Sequence, residues 1–95
     1  MPPDPDTLSK RYRRCQDLPF QKLGEEIVVV APREWKTHLI EGVGSSIWQH
    51  LASPHTGLEI IEKLLAEFDV AEPRLREDVE KFLQALITEK LIEIC

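Results

Sequence analysis

An α+β domain, with a three-stranded antiparallel sheet followed by three helices, is the fold class this sequence predicts, and three observations predict it. Short β-branched or alternating stretches fill residues 18–40. From Glu41 onward the apolar residues recur at helical spacing. Strands and helices are segregated along the chain rather than alternating, the order of a domain whose helices cover one face of a sheet. With 95 residues, 42% hydrophobic and 31% charged, the chain has the composition of a single small folded core.

The three strands are read at residues 18–23 (LPFQKL), 26–31 (EIVVVA) and 35–40 (WKTHLI). Gly24-Glu25 and Pro32-Arg33-Glu34 separate them, connections short enough to make antiparallel neighbours and hence a meander. The first helix follows from Val43, Ile47 and Leu51, four apart, with Trp48 beside them, and Ser53-Pro54 ends it. Thr56 and Glu59 have capping-box spacing and open a second helix with Leu58, Ile61, Leu64, Leu65 and Phe68 on one side. Pro73 suits the first turn of a third helix, which runs to about Lys90 with Leu75, Val79, Phe82, Leu83, Leu86 and Ile87 apolar. A last short strand, residues 91–94, is expected to close the wing of the sheet.

Residues 1–16 are expected to form a flexible tail and residues 17–95 the domain, because the start combines prolines, polar residues and the basic cluster Lys10-Arg11-Tyr12-Arg13-Arg14 without apolar period. It lacks the cationic start and apolar stretch of a secretory signal, so a cytoplasmic address is expected. The longest apolar run, residues 27–31, is far short of the roughly 20 residues that cross a bilayer, so no membrane partner is expected. A net charge of −5 lacks the basic surplus of phosphate-binding surfaces. Cys15 and Cys95 have neither zinc-site nor disulfide-framework spacing and read as incidental thiols, with a disulfide tying the two ends as the alternative.

Catalysis needs a nucleophile, a base and an orienting group, or a metal with its ligands. His50 and His55 are five apart across Pro54, not the four that put two ligands on one helix face. Ser45-Ser46 reads as helix-start chemistry, and Gly42 with Gly44 lacks the third glycine and βαβ context of a phosphate loop. The glutamates are interspersed with lysines and arginines, as on solvated helix faces. Neither an enzyme, a cofactor nor a metal is therefore expected. What remains is surface for binding. At about 100° per residue the apolar face of the third helix spans about 150°, wider than a surface helix needs. Beside it the strand at 35–40 is expected to be a sheet edge whose free donors and acceptors suit an extended peptide. A wide face that is simply core stays open as the alternative.

The stretch Thr37-His38-Leu39-Ile40-Glu41-Gly42-Val43-Gly44-Ser45-Ser46-Ile47-Trp48 resembles the strand-to-helix segment of PqqD-like proteins, where a Gly-x-x-Ile-Trp run opens the first helix. Residues 56–68 resemble the family's capped second helix. Asp78-Val79, Phe82-Leu83, Leu86 and Leu91-Ile92-Glu93 resemble its third helix and exit, so that the likeness covers residues 18–94. Two departures stand out: Glu41 where asparagine is common, which bears on the helix cap, and Lys90 where a glycine often follows the third helix.

The resemblance implies a winged helix-turn-helix-like recognition element for the leader segment of ribosomally made, modified peptides. The leader would add as a strand between the third strand and third helix, pairing with the backbone of Trp35, Lys36, Thr37, His38, Leu39 and Ile40. Leu75, Asp78, Val79 and Phe82 would line the groove, with the opposite helix edge, Arg76 and Leu83, in reserve. The implied partners are a precursor peptide and a modifying enzyme, a leader peptidase as in lasso-peptide pathways or a radical enzyme as in pyrroloquinoline quinone synthesis, the lasso type being preferred. The alternative is a winged-helix DNA-binding protein; the charges of the third helix weigh against it, since Arg74, Arg76, Lys81 and Lys90 are matched by Glu77, Asp78, Glu80 and Glu89.

Overall fold

A computed structural model describes residues 7–16, 18–31 and 36–95. Its elements in chain order are β1 (Arg11–Arg14), β2 (Phe20–Leu23), β3 (Glu26–Ala31), β4 (Lys36–Ile40), α1 (Val43–His50), β5 (His55–Thr56), α2 (Gly57–Glu67), α3 (Glu72–Thr88) and β6 (Ile92–Ile94). The architecture is α+β, with two small antiparallel sheets and three helices. The expected meander is present as the sheet β2-β3-β4. Gly24 turns the first hairpin at φ +64°, the positive φ that a two-residue connection in a right-twisted hairpin favours. The second connection and Trp35 lie outside the described residues.

The basic cluster corrects the expectation of a tail. β1 is the middle strand of a second sheet, β5-β1-β6, and Leu8 and Tyr12 are core residues at 5% and 2% exposure. Tyr12 points inward between Arg11 and Arg13, whose side chains lie along the surface on Glu59 at 3.2 Å and Glu93 at 2.7 Å. Four residues with one apolar side chain carry too little period to stand out, yet alternation about Tyr12 is what a half-buried strand requires. Residues 1–6 of the expected tail lie outside the described residues. The closing strand β6 also differs from expectation: it pairs with β1 and not with the meander. That register puts Arg11 opposite Cys95 and Cys15 opposite Leu91. The two thiols therefore sit about 13 Å apart along the ladder, beyond the reach of an intramolecular disulfide.

Each helix ends as its local sequence dictates. Thr56 Oγ1 accepts from Glu59 N at 3.1 Å, and Glu59 Oε1 accepts from Thr56 N at 2.8 Å, the reciprocal box read from the spacing. At α1, with Glu41 where an asparagine is common, the N-cap is Gly42 and no side chain caps the helix. At the end of α3, Lys90 N donates to Ile87 O and Leu91 N to Leu86 O, a Schellman closure with Lys90 itself at φ +62°. One core joins both sheets and all three helices, centred on Trp48, Leu51, Ile60, Leu64, Val79 and Leu83.

Candidate functional site

Among the described residues β4 has a hydrogen-bonded neighbour on one side only, β3, so it forms an edge of its sheet. Lys36, His38 and Ile40 point to the face that carries Ala31, Val29 and Ile27 of β3, the core side. Thr37 and Leu39 point away, and Leu39 is 58% exposed. Alternate residues of an edge strand turn N–H and C=O groups outward, so β4 offers an incoming chain a ladder to extend.

α3 lies beside this edge, and two contacts fix which of its flanks does so. The first is made through Gly44 of α1. A Cβ there would stand 2.8 Å from Cε2 of Phe82 and 3.3 Å from Cγ2 of Ile40, so both side chains rest on the glycine and only its bare Cα lets the ring in. The second is at the other end, where His38 Nε2 lies 3.9 Å from Glu89 Oε2. This ring nitrogen is buried and hydrogen-bonds to nothing among the described residues. Going back along β4 from Ile40 to His38 accompanies going forward along α3 from Phe82 to Glu89, so strand and helix run in opposite directions.

The flank of α3 on which Phe82 and Glu89 lie also carries Ala85 and, one turn earlier, Asp78. Of the residues expected to line a groove, Asp78 is exposed and Phe82 half-buried, and both sit on it. Leu75 and Val79 do not: at 3% and 0% exposure they are core, on the stripe that α3 shares with Leu83 and Leu86 as it packs on α2 and β6. The reserve edge is not a groove either, since Leu83 is fully buried and Gln84, farther round, donates to Thr7 Oγ1 at 3.3 Å. The wide apolar arc thus divides into a core stripe and a margin at Phe82. Ala85 and Glu89 were missed in the sequence, although their spacing of three and seven from Phe82 puts them on its flank. Trp35 lies outside the described residues.

Two ion pairs form within α3. Arg74 Nε lies 3.4 Å from Asp78 and Lys81 Nζ lies 2.8 Å from Glu77. Among the described residues no group of three or more histidine, cysteine, aspartate or glutamate side chains is placed to hold a metal ion, and no helix is long and apolar enough to cross a membrane.

The arrangement is that of a small α+β domain with an open strand edge bordered by a helix. Residues 26–92 match the family described as coenzyme PQQ synthesis protein D (PqqD), and the chain belongs to that family. Proteins of this family are peptide-binding chaperones with no catalytic step of their own. Among solved structures, the chain is similar to one described as TbiB1 in complex with the TbiA(beta) leader peptide. The two are 26% identical with a TM-score of 0.78, over 85% of this chain and 94% of that one. Among curated proteins, none matches.

Proposed function

We propose that this protein binds the leader segment of a ribosomally synthesised precursor peptide as an added strand along β4 and presents it to a modifying enzyme. The observation that carries this reading is the unpaired β4 edge beside the Phe82–Glu89 flank of α3, in a chain similar over most of its length to a protein solved with a leader peptide. Backbone pairing supplies affinity with little regard to sequence, and alternate leader side chains would fall between β4 and α3, where Phe82, Asp78 and Glu89 select among them. A chain of this size holding both leader and enzyme raises the local concentration of the precursor without touching the reacting bonds. The lasso-peptide type of pathway, with a leader peptidase as partner, is preferred to the pyrroloquinoline quinone type with a radical enzyme. A ribosomally made precursor is met in the cytoplasm, the address expected from the sequence.

The helices and β2-β3-β4 are read as a winged helix-turn-helix-like arrangement put to peptide binding. Against duplex DNA stands the pairing on α3 of Arg74 with Asp78 and Lys81 with Glu77, which leaves those cations little charge to offer a phosphate backbone.

The test is a titration with the leader of a precursor encoded beside the gene, following backbone amide signals. Saturable shifts centred on Lys36 to Ile40 and on Phe82 to Glu89 are expected; shifts confined to the termini, or none, would overturn the assignment. Two variants separate groove from core. Phe82→Asp is expected to weaken leader binding at least tenfold with a folded spectrum, because a charge at the margin can reach water. Val79→Asp is expected to cost about 4 kcal/mol or more of stability by burying an unpaired carboxylate, and so to abolish binding through unfolding.

A further inference from the structure

A second pocket lies on the far edge of the meander from β4, between the end of β1, the start of β2 and α1. Arg14, Cys15, Leu18, Pro19, Phe20 and Trp48 line it. The guanidinium carbon of Arg14 stands 4.8 Å from the Phe20 ring centroid and 5.4 Å from that of Trp48, and the two rings meet edge to face at 5.7 Å. Stacking of this kind fixes a guanidinium by its faces and leaves its N–H donors free at the edge.

Neither the Arg14 guanidinium nor the Trp48 indole N–H has an acceptor among the described residues. Arg11 and Arg13 of the same strand are each paired with a glutamate, whereas among the described residues no carboxylate pairs with Arg14. Partial burial lowers the Arg14 pKa from the usual guanidinium value. Trp48 is 1% exposed, and its indole Nε1–H is buried without a hydrogen-bond partner. Buried donors in folded proteins are nearly always satisfied, so an orphaned indole beside an unpaired arginine points to an acceptor that arrives with a ligand. Among the described residues lining the pocket none is acidic, in a chain whose net charge is −5. Phe20, 46% exposed, adds an apolar rim with Leu18 and Pro19.

We infer that this pocket binds a carboxylate side chain of the partner enzyme, held by Arg14 and the Trp48 indole, with a neighbouring apolar residue of the enzyme on Phe20. The enzyme as occupant rests on the adaptor reading above. A leader added outside β4 lies three strand spacings, about 14 Å, from β2, so both sites are open at once, as an adaptor requires.

The probe is the blocked tripeptide acetyl-Leu-Glu-Phe-amide, with its Gln counterpart, added to the ¹⁵N-labelled full chain while the Trp48 indole signal is followed. The chain has two tryptophans, and Trp35→Phe assigns the signal. The Glu peptide is expected to move it downfield and to saturate. The Gln peptide should bind at least about tenfold more weakly, as should the Glu peptide to Arg14→Gln, because a charge-assisted pair is lost. Phe20→Ala, at an exposed rim, should weaken binding several-fold in a chain that stays folded. An unmoved indole at about 10 mM peptide, equal response to the two peptides, or an equal response to acetate would overturn the inference. Leader titration of Arg14→Gln keeps the two claims apart. Undiminished shifts along β4 leave the adaptor reading standing whatever the pocket does. A wild-type chain that takes up no leader removes the enzyme as occupant even where the tripeptide binds.

Discussion

Lys90 closes α3 in a conformation that costs an L-residue about 1–2 kcal/mol, at the position where helices most often place glycine. Its side chain is exposed and no contact of the ammonium offsets that cost among the described residues. Lys90→Gly is therefore expected to stabilise the protein by about 0.5–1 kcal/mol after the larger entropy of an unfolded glycine is subtracted. A rise in the urea midpoint with an unchanged slope is the measurement, and a fall would mean that the Lys90 side chain has a role the closure does not reveal. Gly44 is the opposite case. Space is what it provides, because any side chain there displaces the Phe82 ring from the margin of the proposed groove. Both residues were visible in the sequence, Lys90 as a departure from a family pattern and Gly44 as part of a helix-opening run. Their physical roles depend on φ and on a neighbour 38 residues away, which no local pattern encodes.

Among the elements, those with a strong local signal were legible and those without one were not. The three strands of the meander and the three helices follow from β-branched runs and a 3.6-residue period, and the Thr56–Glu59 box from its spacing alone. β1 was not, since a single inward Tyr12 among arginines has no period, and its pairing with β5 and β6 is non-local. The proposed groove was half legible for a related reason. Helical projection finds the apolar arc of α3 but cannot say where core ends and margin begins, and burial of Leu75 and Val79 decides that. The capping box carries its own test. Thr56→Ala should cost about 1 kcal/mol. The backbone N–H of Thr56, donating to Glu59, holds that carboxyl below the usual carboxylate range. The stability it contributes is thus complete above the unfolded value, near 4.5, and is lost as pH falls through the lower folded value. Glu59→Gln should accordingly lose part of the difference between neutral and acid stability seen in urea titrations at the two pH values; an unchanged difference would show that the box does not titrate with folding.

On the scale of the whole molecule, the N-terminal segment ties together what the meander and helices leave open. Leu8 O accepts from Leu58 N at the start of α2, Arg14 N donates to Leu51 O after α1, and Cys95 N donates to Arg11 O, so one segment holds both ends of the helical layer. Gly57 admits it, because a Cβ there would stand 2.8 Å from the Leu8 Cα. Removing residues 1–14 takes Leu8 and Tyr12 out of the core, each worth about 1.5–3 kcal/mol, and strips β5 and β6 of the strand they pair with among the described residues. A loss of about 5 kcal/mol is comparable with the entire stability of a small domain, so the truncated chain is expected to show no cooperative thermal transition. A solvated basic tail would instead be removable without effect, and the charges can be separated from the strand by point variants. Arg11→Gln and Arg13→Gln break exposed ion pairs and should each change stability by less than about 1 kcal/mol. Tyr12→Ala should cost about 3–5 kcal/mol, as loss of a buried aromatic ring does. If the arginines proved as costly as the tyrosine, β1 would be held by its charges rather than by burial, and the place of the Arg14 pocket on a rigid strand would have to be argued anew.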